Sequence, residues 1–188
     1  MTPPRHVLFL LSASREAGHI GNTETLARRA AARLPADTRQ TWLPLSQLQL
    51  PPFVDVRHTV GSYAPPEGDL KTALDALLDC SDLVVVAPVY WFSLPAPLKL
   101  LLDHWSGFLR VPGLDFKARM AGKRFWAIST SGHRGRAQPM LDSLALCAEF
   151  MGMAWQPPLW GQGGAPGAVL ADAAALAEAE RFFLRAPA

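Results

Sequence analysis

The 188-residue sequence has only two cysteines, Cys80 and Cys147, far apart and without a CxxC or CxxH neighbour. That spacing argues against a disulfide framework and a thiolate zinc site, and it suits a reducing cytoplasm. No segment approaches the roughly 20 apolar residues of a membrane span. The first apolar stretch, His6–Leu11, is too short for the core of a secretion signal, so the sequence predicts a cytoplasmic protein with no membrane partner. Charge of one sign is also missing: 18 basic residues face 16 acidic ones, for a net charge of +2, and no run of Lys or Arg stands out. Nucleic acid therefore has no electrostatic footprint to meet. The strong single-sign surface with which charged carriers dock is absent as well.

What is abundant is proline, at 17 residues, and tryptophan, at six. Both point to irregular, aromatic-lined loops between regular elements. The length suits one domain over residues 1–188, with about 70% of its unfolded surface buried and no need of a metal staple. Short apolar runs alternate with helical periodicity, the pattern of βαβ units. Strands are predicted at His6–Leu11, Gln40–Leu43, Asp82–Ala87, Arg124–Ser129 and Met153–Gln156. Helices are predicted at about 22–34, 69–80, 96–108, 139–151 and 172–184. The segment 44–68, with five prolines and no steady period, reads as a long excursion. Its Phe53 and Tyr63 suggest packing on a ligand or a second subunit. Strict alternation predicts a three-layer α/β/α sandwich around a five-stranded parallel sheet of order 2-1-3-4-5. Its ligand site lies where the order reverses, outside the carboxyl ends of strands 1, 3 and 4.

The first of those loops, Ser12 to Thr23, joins a buried strand to a helix start. Unpaired N–H groups and the partial positive charge of a helix N-terminus suit a phosphate. Ser12, Ser14, Asn22 and Thr23 add neutral donors, Arg15 adds a cation, and Asn22 or Thr23 is the expected cap. The loop has neither GxxxxGKS nor GxGxxG, which argues against an ATPase and a dinucleotide-type Rossmann domain. No Ser-His-Asp arrangement, carboxylate pair or metal-ligand cluster is apparent.

Taken together, S-x-S-R…G-N-T after the first strand and P-V-Y-W-F-S-x-P-A-x-L-K after the third resemble the NAD(P)H-dependent FMN reductases and quinone reductases of the flavodoxin-like superfamily. The likeness spans most of the chain, although Ser12-Ala13 stands where members often carry Gly-Ser. It implies FMN with its phosphate at Ser12, Ser14, Asn22 and Thr23, where Arg15 is placed to pair with the anion or cap the site. Its ring would lie against Pro88, Val89, Tyr90, Trp91 and Phe92; the small residues of the loop after the fourth strand, Ser131 and Gly132 with His133, suit a close backbone approach to its N1/O2 edge. The implied reaction takes hydride from NAD(P)H and reduces a quinone, free flavin or similar small acceptor, with no catalytic side chain of the protein's own. A homodimer or higher homo-oligomer is implied too. The alternative is a flavodoxin-type electron carrier without turnover of its own.

Overall fold

The computed structural model describes residues 5–16 and 18–184. Strands β1 (His6–Leu11), β2 (Arg39–Pro44), β3 (Asp82–Pro88) and β4 (Arg124–Ser131) form a parallel sheet in the order β2-β1-β3-β4. Two short strands, β5 (Ala154–Trp155) and β6 (Leu159–Gln162), both pair with the outer edge of β4. Helices α1 (Asn22–Ala31) and α6 (Ala173–Ala179) cover one face. The other face carries α2 (Gly68–Asp79), α3 (Ala96–Phe108), α4 (Phe116–Met120) and α5 (Gln138–Met151). The expected three-layer sandwich and strand order are present.

Burial on both faces explains why β1 and β3 read as unbroken apolar runs. Leu8, Leu10, Leu83 and Val85 point into the α2–α5 core, and Val7, Phe9, Val84 and Val86 into the α1–α6 core. All eight are essentially inaccessible.

The fifth strand differs from expectation. The predicted Met153–Gln156 strand holds only Ala154–Trp155, opposite Arg124 and Phe125, and pairing resumes at Leu159 opposite Ile128. Between them stand Pro157 and Pro158, which have no N–H for the ladder. The register also slips by one across the interruption, so the fifth position of the sheet is built from two pieces. The last helix is divided as well: 3-10 turns at Ala168–Ala171 and Phe182–Leu184 flank α6. Among the described residues no helix is long and apolar enough to cross a membrane.

Within the excursion 44–68 the rings of Phe53 and Tyr63 pack on their own chain, while Pro44, Ser46 and Gln47 line the cavity described below. The Phe53 ring meets those of Tyr63 and His104 at 6.0 and 5.5 Å. His104 Nε2 lies 2.8 Å from the Pro51 carbonyl. The Tyr63 hydroxyl accepts the Val56 N–H at 2.9 Å, and its ring lies over Gly107 of α3, leaving no slack for a larger residue there. His104 and Trp105 are accordingly buried packing residues, and Lys99 forms an ion pair with Asp103 at 2.6 Å.

Candidate functional site

The carboxyl ends of β1, β3 and β4 open into one cavity of about 600 Å³, within the usual range for small-molecule sites. Three loops converge there, as the strand order requires.

One end of the cavity is the start of α1. Gly21 occupies the cap position in an extended conformation, with φ −94°, and no side chain caps the helix. The first-turn N–H groups of Asn22, Thr23 and Glu24 thus keep the open valences and partial positive charge of a helix start. Asn22 and Thr23 were expected to cap but are the first helical residues, both buried and both committed elsewhere. Asn22 Nδ2 donates to the Ala165 carbonyl at 3.0 Å, while its Oδ1 accepts the Val169 N–H at 3.3 Å. Thr23 Oγ1 lies 2.5 Å from Thr130 Oγ1 at the end of β4. These side chains hold the cradle in shape, and the helix start whose first-turn N–H groups lack partners in the helix lines the cavity. Arg15 folds back over Gly21 so closely that a Cβ there would meet its Nε at 2.6 Å. Among the described residues no carboxylate pairs with it. Arg28, one helical turn beyond the first, is by contrast held by Glu24 at 2.6 Å and lies over the Trp42 ring.

Ser12 takes a different part from the one expected. It is fully buried, and its N–H and Oγ both donate to the Val86 carbonyl, at 3.1 and 2.8 Å. Ser14 is exposed on the loop and, like Ser12, is not among the cavity's lining residues.

The second wall is the loop after β3. Pro88, Val89 and Tyr90 line the cavity, and the Val89 N–H donates to the Thr130 carbonyl at 3.3 Å. Tyr90 and Ser93 then exchange two backbone hydrogen bonds, 3.2 and 3.0 Å. Trp91 and Phe92 form the tip between them with φ of 49° and 61°. Two consecutive left-handed residues make a type I′ turn, a shape that ordinarily selects Asn-Gly. The tip carries Trp91 and Phe92 out of the main cavity, 93% and 54% exposed, into an adjoining depression.

Ser131 and Gly132 form the third wall. His133 is exposed and turned inward on its own loop, Nδ1 accepting the Gly135 N–H at 3.1 Å. The sequence reading missed what fixes this wall, which is β6 and the loop after it. Trp160 Nε1 donates to Ser131 Oγ at 2.9 Å, Gln162 Nε2 to the Gly132 carbonyl at 3.1 Å, and the Gly163 N–H to the Ser131 carbonyl at 2.8 Å. Gly163 and Gly164 line the cavity themselves. A Cβ on Gly163 would stand 3.0 Å from Ser131 N, so the Gly163–Gly164 doublet was the available signal.

Known proteins agree with this architecture. Residues 5–183 match a family described by its flavodoxin-like fold. A curated relative from Bacillus subtilis strain 168, named a putative NAD(P)H-dependent FMN-containing oxidoreductase, is 32% identical over 171 residues, covering 89% of this chain and 92% of its own. The solved structure of a Trp repressor binding protein from Bacillus subtilis superposes with a TM-score of 0.73 at 27% identity, covering 96% and 99% of the two chains. An NAD(P)H:quinone oxidoreductase from Methanothermobacter marburgensis, at 16% identity, shares the fold with a TM-score of 0.69 over 95% and 94%. With β2-β1-β3-β4 in place and the family match spanning nearly all of its length, the chain belongs to the flavodoxin-like fold family.

Proposed function

We propose that the chain is an FMN-dependent oxidoreductase that takes hydride from NAD(P)H and reduces a quinone, free flavin or similar small acceptor. The observation that carries this reading is the joining of two unlike ends in one cavity. At the α1 start an uncapped helix N-terminus and an unpaired Arg15 suit a phosphomonoester. At the other end Pro88, Val89 and Tyr90 offer a largely apolar wall, faced by the close backbone of Ser131 and Gly132. Such a wall suits a planar heteroaromatic ring with a polar edge. Bound FMN supplies a two-electron redox centre, so no nucleophile or metal is asked of the protein.

Each residue then has a definite task. The N–H groups of Asn22, Thr23 and Glu24, with Arg15, hold the phosphate. Pro88 to Tyr90 support the ring, and Ser131 and Gly132 meet its edge with backbone groups. Thr23 and Thr130 tie the phosphate end to the ring end through their hydroxyl pair. Ser12 and His133 act on loop shape, and Trp91 and Phe92 on the outer side of the ring site. The two free thiols fit a reducing cytoplasm. A homodimer completes the reading: Leu146 and Phe150, 64% and 59% exposed one turn apart on α5, offer it an apolar strip.

The test is to load purified protein with FMN and mix it anaerobically with NADPH and with NADH. Loss of the flavin absorbance, followed by its return on adding a quinone, is expected. Bound flavin that neither nucleotide bleaches at a useful rate would favour the electron carrier, and failure to bind FMN would sink both readings. Light scattering is expected to give twice the 20.4 kDa chain mass.

A further inference from the structure

Val89, Ser131 and Gly132 line the main cavity on one side and, on the other, an adjoining depression of about 230 Å³. The depression also takes in Trp91, Phe92 and Arg136. Its aromatic side is the type I′ tip, whose two rings are held outward by backbone that bulky residues adopt only at a cost. Its charged side is Arg136, the last residue of the 3-10 turn Arg134–Arg136. The Arg136 backbone is anchored by its N–H to the His133 carbonyl at 3.0 Å.

Arg136 differs from the arginines that are held by acids. Arg5, Arg28, Arg29, Arg33, Arg39, Arg57 and Arg124 each contact a carboxylate. Among the described residues neither Arg136 nor its neighbour Arg134 does. Two of the acids that follow along the chain are engaged elsewhere: Asp142 accepts from Gln138 Nε2 at 2.7 Å, and Asp172 from the N–H groups of Gln162 and Ala175. An exposed guanidinium with no internal counter-ion, beside two aromatic faces, presents a planar fork suited to carboxylate, sulfonate or phosphate. The neighbouring charge of Arg134 has the same sign and adds to its field.

We infer that Arg136 selects an anionic group carried by the planar substrate that enters over the ring site, with the Trp91–Phe92 tip as the face that substrate lies against. This rests on the flavoenzyme reading above and narrows it: the preferred partner of the reduced enzyme is an aromatic anion, not a neutral quinone. The same chemistry has a second source, the 2′-phosphate of NADPH, and the experiment separates the two.

FMN-loaded wild type, Arg136→Gln and Arg136→Lys are compared in four steady-state series. Two vary the acceptor, 1,2-naphthoquinone or its 4-sulfonate, with NADH as donor. Two vary the donor, NADPH or NADH, against the uncharged quinone. In Arg136→Gln the KM for the sulfonate is expected to rise roughly 10-fold, while that for the uncharged quinone stays within about 2-fold. Arg136→Lys is expected to recover part of the loss, since it keeps the charge and loses the fork. A rise confined to NADPH identifies the nucleotide phosphate as the anion held: it supports an anion site at Arg136 and overturns the aromatic-anion acceptor. Equal losses in all four series, or none, overturn the inference. Normal anaerobic bleaching in the wild type with such a result overturns this inference alone; absent bleaching overturns the reading of the site with it.

Discussion

Ser12 and Val86 are joined twice, the serine N–H and Oγ both donating to one valine carbonyl at 3.1 and 2.8 Å. The pair locks the ends of β1 and β3 together where the strand order reverses. Ser12→Ala is expected to cost about 1 kcal/mol of stability, one buried hydroxyl bond. Its FMN affinity should change less than about 2-fold, because Oγ is already spent. Urea unfolding and fluorescence titration check the two halves, and a large affinity loss at unchanged stability would place Ser12 on the ligand after all.

Gly21 and Arg15 share the space above the helix start. With φ at −94° an alanine meets no backbone strain there, but its Cβ would lie 2.6 Å from Arg15 Nε. Gly21→Ala is thus expected to push the guanidinium away and weaken FMN binding roughly 5-fold, the worth of one exposed charge-assisted contact. Stability should fall by no more than about 1 kcal/mol. The variant Arg15→Ala should lose a similar factor, and combining the two should add little, because both remove one contact. Full additivity in the titration would show separate causes.

Asp82 is fully buried at the start of β3. Burial alone pushes its carboxyl up, yet the Arg5 and Ser81 hydrogen bonds and the charges of Arg5 and Arg124 outweigh this and hold it below the ordinary carboxylate value. Trp126 Nε1 donates to it as well, at 3.0 Å. A depressed folded value means stability that is present above the ordinary value of 3.8 and lost as pH falls through the lower folded one. Asp82→Asn is expected to cost about 3–5 kcal/mol near pH 7, where it strands two arginines. The gap from wild type should narrow as the pH falls below about 4. Unfolding curves at pH 7 and pH 3 check this, and an unchanged gap would remove charge from the account.

Trp91 and Phe92 hold left-handed backbone at a cost of about 1–2 kcal/mol each. The double substitution Trp91→Asn, Phe92→Gly keeps the type I′ turn and gives it the Asn-Gly pair that this shape favours. Thermal melts should show a more stable protein, and kcat/KM for aromatic acceptors should fall. Stabilisation with full activity would leave the two rings without a role at the site.

The sequence by itself determined the layered βαβ architecture, because strands buried on both faces must be apolar throughout while helices show one apolar stripe. It also marked the three loops that meet at the cavity, since Gly, Pro and small polar residues interrupt the periodicity after β1, β3 and β4. Tertiary structure alone decided which atoms in those loops are free. Asn22, Thr23 and Ser12 look alike as donors in a string of letters, yet long-range partners at Ala165, Thr130 and Val86 consume their side chains. The split fifth strand and its grip on Ser131 and Gly132 were equally out of reach. That both sides of the Pro157–Pro158 break pair with β4, one residue out of register, depends on contacts about 30 residues away, and no local pattern encodes those.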